Sequence, residues 1–245
     1  MPQIEYHHDR NRHSVQGAAQ GLRCFLEEFH PKSILDVGAG TGTWLHAAQQ
    51  LGVKDIMGVD GVSPDGRAMW VDPSLVRTHD LQQPFALGRT FDAVLCLEVA
   101  EHIPEAAAAT LVRSLCLHGN LIFFSAACPG QRGEHHVNCQ WPAYWQALFN
   151  HEGFVCRDDL RAKMWDIVEI EPWYRQNAFS AIREPSRAGH EPRIRSLIHP
   201  DMIPCMDFPD SPTEEYYASL ERGELSPWRY LWLMETSLRQ HVPDE

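Results

Sequence analysis

Four residues at alternate positions, Asp36, Gly38, Gly40 and Gly42, carry the first chemistry that can be read in this chain. They follow the apolar residues Ile34, Leu35 and Val37 and precede Trp44-Leu45-His46-Ala47-Ala48, so the pattern predicts strand, tight turn and helix. Glycines at such places let the backbone turn sharply and approach a ligand, and a helix start offers unpaired N–H groups. A nucleotide-like ligand is implied. The third glycine of a dinucleotide G-x-G-x-x-G fingerprint falls on Thr43, and the carboxylate of Asp36 just before the turn repels a pyrophosphate but suits an amine. A phosphate-cradling P-loop needs Gly-Lys-Ser/Thr, which Thr43-Trp44 does not provide.

Further polar residues follow apolar runs. Asp55-Ile56-Met57-Gly58-Val59-Asp60-Gly61 reads as a strand ending in an acid that can accept both hydroxyls of a ribose. Leu75 to Leu81 is a third strand with Asp80 in the loop beyond, and Phe91 to Val99 is a fourth, continuing as Ala100-Glu101-His102-Ile103-Pro104. After a fifth, Asn120 to Ser125, comes a glycine-flanked loop rich in His, Asn and aromatic residues that includes His135, His136, Asn138, Trp141, Tyr144 and Trp145. Loops at the carboxyl ends of strands are where such architectures recruit a second substrate. His102, His135 and His136 are candidate bases, because imidazole titrates near neutrality.

These segments together resemble the class I S-adenosylmethionine (SAM)-dependent methyltransferases. Asp36 to Gly42 looks like their motif I, and Leu97-Glu98-Val99 with Glu101-His102-Ile103 is similar to a signature of many small-molecule members. His136-Val137-Asn138-Cys139-Gln140-Trp141 and Trp173-Tyr174-Arg175-Gln176-Asn177 resemble two elements of one subgroup, which usually has Glu where this chain has Cys139. The resemblance covers roughly residues 12–183. It implies SAM as cofactor, with Asp36, Gly38, Gly40, Asp60, Gly61, Asp80, Leu81, Glu98, Val99 and His102 around it. Asp60 is the ribose ligand and Asp80 the acceptor for the adenine amino group. Tyr144, Trp173 or Tyr174 can offer an aromatic face to the sulfonium; core packing is the favoured use of Trp145. Asn138, Tyr174, His135 and His136 are the catalytic candidates, and methyl transfer to a small metabolite is the expected reaction. Two alternatives stay open. One is cyclisation of SAM with loss of methylthioadenosine, as in the azetidine-2-carboxylate synthases, where Asn138 and Tyr174 would hold the folded aminobutyrate chain. The other is a non-catalytic SAM-binding scaffold.

The elements that must position these residues alternate along the chain. Strands are expected near 33–37, 55–60, 75–78, 91–98, 121–126, 154–158 and 177–183, and helices over 14–29, 42–51, 105–117 and 140–151. The expectation is an α/β, Rossmann-like, mostly parallel seven-stranded sheet with helices on both faces, an N-terminal helix and a C-terminal extension. Residues 1–184 should form the SAM-binding catalytic domain. Residues 185–245 read as an irregular segment, wrapped on the core or forming a lid, followed by helices near 213–220 and 227–234 that serve packing or a homodimer contact.

Composition narrows the partners. A chain of 245 residues, 44% hydrophobic, can bury one sizeable core. A net charge of −12 with scattered Lys and Arg disfavours nucleic acid. No apolar run approaches a membrane span, and the N-terminus lacks the features of a signal peptide, so a cytoplasmic protein with no membrane partner is expected. Seven cysteines without a C-x-x-C pair argue for free thiols. None of the 14 histidines shows H-E-x-x-H or H-x-x-E-H spacing, so no metal is expected.

Overall fold

The computed structural model describes residues 14–63 and 68–206. Helix α1 (Val15–Phe29) begins where the Ser14 hydroxyl accepts from the Gly17 N–H at 2.9 Å, and ends on the left-handed His30. Then come β1 (Ser33–Val37), α2 (Thr43–Gln50), β2 (Asp55–Asp60), β3 (Val76–Thr78) and β4 (Ala93–Leu97). The second half contains α3 (Glu105–His118), β5 (Leu121–Ser125), α4 (Pro142–His151), β6 (Phe154–Arg157), α5 (Asp159–Met164), α6 (Pro172–Asn177) and β7 (Phe179–Arg183). Single 3₁₀ segments span Pro73–Leu75, Ala100–His102 and Pro200–Cys205.

The seven strands form one sheet in the order β3-β2-β1-β4-β5-β7-β6, parallel except for β7, which runs antiparallel to both neighbours. Leu35 lies beside Met57 on one side and Val94 on the other. Successive side chains of a strand point to opposite faces, and here both faces are covered. Leu35, Val37, Val94, Cys96, Ile122 and Phe124 join the core under α3 and α4. Ile34, Ala93, Leu95 and Phe123 join the core with α1, α2 and α5. Chain order reverses between β1 and β4, so a crevice opens at their carboxyl ends, the place where open α/β sheets bind ligands.

The Rossmann-like expectation is met, with corrections at element edges. The strand expected over 91–98 starts at Ala93 because Phe91 makes only an isolated bridge to Gly119, and it stops before Glu98, which turns to φ 53°. The strand expected from 177 starts at Phe179 because α6 runs to Asn177. Helices α5 and α6, six residues each, are too short to produce a periodic signal. Residues 185–206 wrap on the core. Glu191 accepts from the side chains of Gln146 and Asn150 and from the Cys156 N–H, while His199 N–H donates to Gln176. The helices expected near 213–220 and 227–234, and with them the homodimer contact, lie outside the described residues. All seven cysteines are unpaired, and among the described residues no helix is long and apolar enough to cross a membrane.

Candidate cofactor site and reaction chamber

Strand β1 delivers Asp36 and Val37 into the turn, where the N–H groups of Gly38 and Ala39 both donate to the Val59 carbonyl at 2.7 and 3.2 Å. This pins the turn to the neighbouring strand. Gly38 has φ 85°, and a Cβ there would lie 2.2 Å from Cγ2 of Val99, so the residue after Glu98 packs directly on the turn. Helix α2 then starts at Gly42 with no side-chain cap, leaving its first N–H groups for another acceptor.

Asp36 is 2% exposed, and its Oδ2 is buried without a hydrogen-bond partner. Burial, with the nearby Asp60 carboxylate as a second cause, pushes its pKa up to about 8. A buried, unmatched carboxylate beside an uncapped helix start fits a ligand that carries an ammonium group together with hydrogen-bond acceptors.

Asp60 closes the other side. Its Oδ2 accepts from the Gly40 N–H at 2.7 Å and its Oδ1 from the Val62 N–H at 2.8 Å, so it ties the glycine turn to the end of β2. Sequence reasoning assigned this acid to a ribose alone and did not foresee its grip on Gly40. Gly61 is exposed at the same rim. Asp80 is exposed beyond β3, where its carboxylate accepts from the Gln82 N–H, and Leu81 is buried beside it.

A second group gathers beyond β4. Glu98 accepts from the amides of Gln131 at 2.8 Å and Asn177 at 3.2 Å, and Asn177 also donates to Gln131 Oε1 at 2.9 Å, so three segments close one ring. Burial raises the Glu98 pKa, while the bonds from Gln131 and Asn177 work against that rise. Glu101, 1% exposed, is raised well above the usual range by burial and then by the Glu98 charge. Its main-chain carbonyl accepts from the N–H groups of Val137 and Asn138, which docks the His-Asn loop onto this turn. Asn138 is 3% exposed and its Nδ2 is buried without a partner.

Of the remaining candidates, His136 directs Nδ1 at the Gln131 carbonyl, and burial lowers its pKa. His135 sits at φ 55° and its carbonyl faces His102 Nδ1. Tyr174 is 1% exposed, edge-on to Trp44 with a centroid distance of 5.0 Å, and its hydroxyl accepts from the Trp44 indole N–H at 3.3 Å. That places it behind the start of α2. Tyr144 packs edge-on against Trp145, which is core, 1% exposed and beside Phe124. Sequence reasoning gave no role to Glu101, Gln131 or Asn177. Their signal was weak: Glu101 lies in the signature shared by many small-molecule members, Asn177 ends the Trp173–Asn177 element and Gln131 lies in neither, and only the fold shows that they meet.

The methyltransferase domain family matches residues 6–166. The chain belongs to that family. It is accordingly a SAM-dependent methyltransferase, a transferase, and the unmatched Asp36 carboxylate and the glycine turn suit that cofactor. Among solved structures it is similar to the sugar N-methyltransferase KedS8 from Streptoalloteichus sp ATCC 53650, with 20% identity, a TM-score of 0.55, and 72% of this chain and 90% of that one covered. It is also similar to the amino pentose methyltransferase CalS10 from Micromonospora echinaspora, with 16% identity, a TM-score of 0.48, and 70% and 92% covered. For the magnesium protoporphyrin IX methyltransferase ChlM from Synechocystis PCC 6803 the values are 18% identity, a TM-score of 0.47, and 69% and 79% covered. No curated protein matches the sequence.

Proposed function

We propose that this methyltransferase acts on a small polar metabolite, held between the tail of β4 and the loop that carries His135, His136 and Asn138. The observation that carries this reading is the pair of buried side chains with unmatched polar atoms, Glu101 on the turn after β4 and Asn138 on the loop docked onto that turn. Unmatched buried polar atoms cost free energy unless a ligand pairs with them. A small molecule with hydroxyl or amino groups fits that demand, whereas the net charge of −12 opposes a polyanion. The similar fold of a sugar N-methyltransferase is in keeping with it.

When bound, SAM supplies an electrophilic methyl group on a sulfonium. Asp36 holds the ammonium end, with the free N–H groups of α2 close by for the carboxylate. Asp60 accepts from the ribose while it keeps Gly40 in place, and Asp80 with Leu81 takes the adenine. Val99 seats the turn from the chamber side, and the Glu98–Gln131–Asn177 ring fixes that wall. Asn138 orients the acceptor, Tyr174 braces the start of α2 through Trp44, and His135 or His136 removes the acceptor's proton where there is one to remove. At neutral pH the lowered pKa of His136 leaves its ring uncharged, as a base requires.

Residues 1–184 form the catalytic domain in this reading, and residues 185–245 are an accessory extension. The test is to incubate the full chain with methyl-labelled SAM and separate small-molecule, protein and nucleic-acid fractions of a cell extract. Label should enter the small-molecule fraction; label confined to RNA, DNA or protein would overturn the proposal.

A further inference from the structure

Among the described residues, one group of three side chains has the composition and closeness of a metal site: Glu101, His102 and His136. One ligand atom from each lies within 4.8 Å of the others, and His136 Nε2 is 4.0 Å from Glu101 Oε1. The two imidazole rings meet edge to face, with centroids 5.1 Å apart. An ion held about 2.0–2.2 Å from nitrogen and oxygen ligands needs these atoms roughly 3–4 Å apart. A closing of about 1 Å therefore completes the geometry.

Three independent features point the same way. Glu101 is 1% exposed and neither carboxylate oxygen makes a well-formed hydrogen bond, with only the N–H groups of Glu101 and Ala127 and the Glu98 carboxyl group as close polar company, although buried carboxylates are normally paired or bound to a cation. Each histidine turns Nδ1 to a main-chain carbonyl, His102 to His135 at 3.3 Å and His136 to Gln131 at 3.1 Å, with Cys139 Sγ at 3.6 Å from the latter nitrogen. Donation from Nδ1–H to a carbonyl fixes the tautomer whose lone pair is on Nε2, which is how metal-binding histidines are usually oriented. Finally, a Cβ at Gly133 would come 2.1 Å from His136 Nε2, so only glycine fits beside the nitrogen that would face the ion.

We infer that Glu101, His102 and His136 bind a divalent transition-metal ion of the Zn²⁺, Mn²⁺ or Co²⁺ type, with open coordination positions in the reaction chamber. Two imidazoles and one carboxylate suit such ions, and three protein ligands leave room for oxygen or nitrogen donors of an acceptor. The inference rests on the methyltransferase reading for its meaning, and it gives His136 the part of a ligand in place of a base. The spacing search in the sequence missed the group because His102 and His136 come from different loops, joined by the Glu101 carbonyl and the N–H groups of Val137 and Asn138.

The experiment uses the full chain without an affinity tag, stripped with a chelator and titrated with Co²⁺ while visible absorption and thermal melting are followed. One equivalent should bind, with the visible bands of a nitrogen and oxygen site and a rise in Tm. Glu101→Gln keeps the volume and should weaken Co²⁺ binding by more than about tenfold, as should His136→Gln, whereas His151→Gln on exposed α4 surface should not. Circular dichroism confirms that each variant folds. Stripped wild-type protein that takes up none of Co²⁺, Mn²⁺ or Zn²⁺, or equal binding in folded Glu101→Gln, would overturn the inference. Calorimetry of SAM on the metal-free wild type reads the methyltransferase assignment separately, since the Asp36 turn contains none of the three ligands.

Discussion

The two halves of the crevice are built in opposite ways. The half at the ends of β1 and β2 is a local device: Asp36, Gly38, Gly40 and Gly42 lie within one strand-turn-helix unit, and Asp60 reaches it from the adjacent strand. The half beyond β4 and β5 is assembled from afar, with Glu98, Glu101, Gln131, Asn138 and Asn177 meeting only after three segments dock. The first half is a glycine turn flanked by two carboxylates, so its demands on sequence are narrow and local. The second binds with side chains, and different side chains can serve different acceptors on the same frame.

This contrast predicts that damage to the first half removes cofactor affinity, while damage to the second removes turnover. The largest effect is expected from Gly38→Val. Its side chain meets Val99 and must adopt φ 85°, so SAM binding by calorimetry should fall below detection, with circular dichroism reporting whether the sheet survives. Normal affinity in a folded variant would remove the turn from the site. Next comes Asp60→Ala, which deletes the proposed ribose acceptor and releases the Gly40 and Val62 N–H groups. A loss of about 1.5–3 kcal/mol in SAM binding is expected, and less than about 0.5 kcal/mol would mark the acid as a turn brace alone. Asn138→Ala should act on the other half, lowering kcat while SAM affinity stays within about twofold. A fall in SAM affinity as large as the fall in turnover would erase the distinction between the halves.

A separate effect is a pH dependence. Asp36 titrates near pH 8 in the folded chain and near 4 when unfolded. The folded protein therefore holds a proton that the unfolded chain releases, and stability without cofactor should decline as pH rises between those values. Asp36→Asn should remove part of that slope, leaving the part due to Glu98 and Glu101, whose pKa values are also raised. SAM binding near pH 7 should release a proton as the ammonium draws Asp36 into its charged form, seen as a calorimetric heat that depends on buffer ionisation. A buffer-independent heat would place the ammonium elsewhere.

The same contrast explains what the sequence could and could not reveal. Strands β1 and β2 occupy the expected residues 33–37 and 55–60, because buried apolar runs ending in glycine or acid need no distant partner to be recognised. The order of the acids along the chain likewise matches where the structure sets Asp36 and Asp60, on either side of the glycine turn. Glu98 could be named from its signature, yet its bonds to Gln131 and Asn177 depend on β7 pairing antiparallel to β5 and carrying α6 to the chamber wall. Tyr174 shows the limit: its type suited a substrate contact, and only the structure shows that its ring packs edge-on to Trp44 and its hydroxyl accepts from that indole. No local pattern encodes which face of a six-residue helix meets the core.

The central claim is that the crevice moves a methyl group from SAM to a separate acceptor, and the nucleoside product tests it most directly. Protein incubated with SAM, with and without a fractionated pool of small metabolites, is quenched and analysed by mass spectrometry. The account predicts S-adenosylhomocysteine that accumulates only when acceptor is present. Methylthioadenosine formed from SAM alone, at the same rate with or without metabolites, would contradict it and assign the chamber to cyclisation of the cofactor.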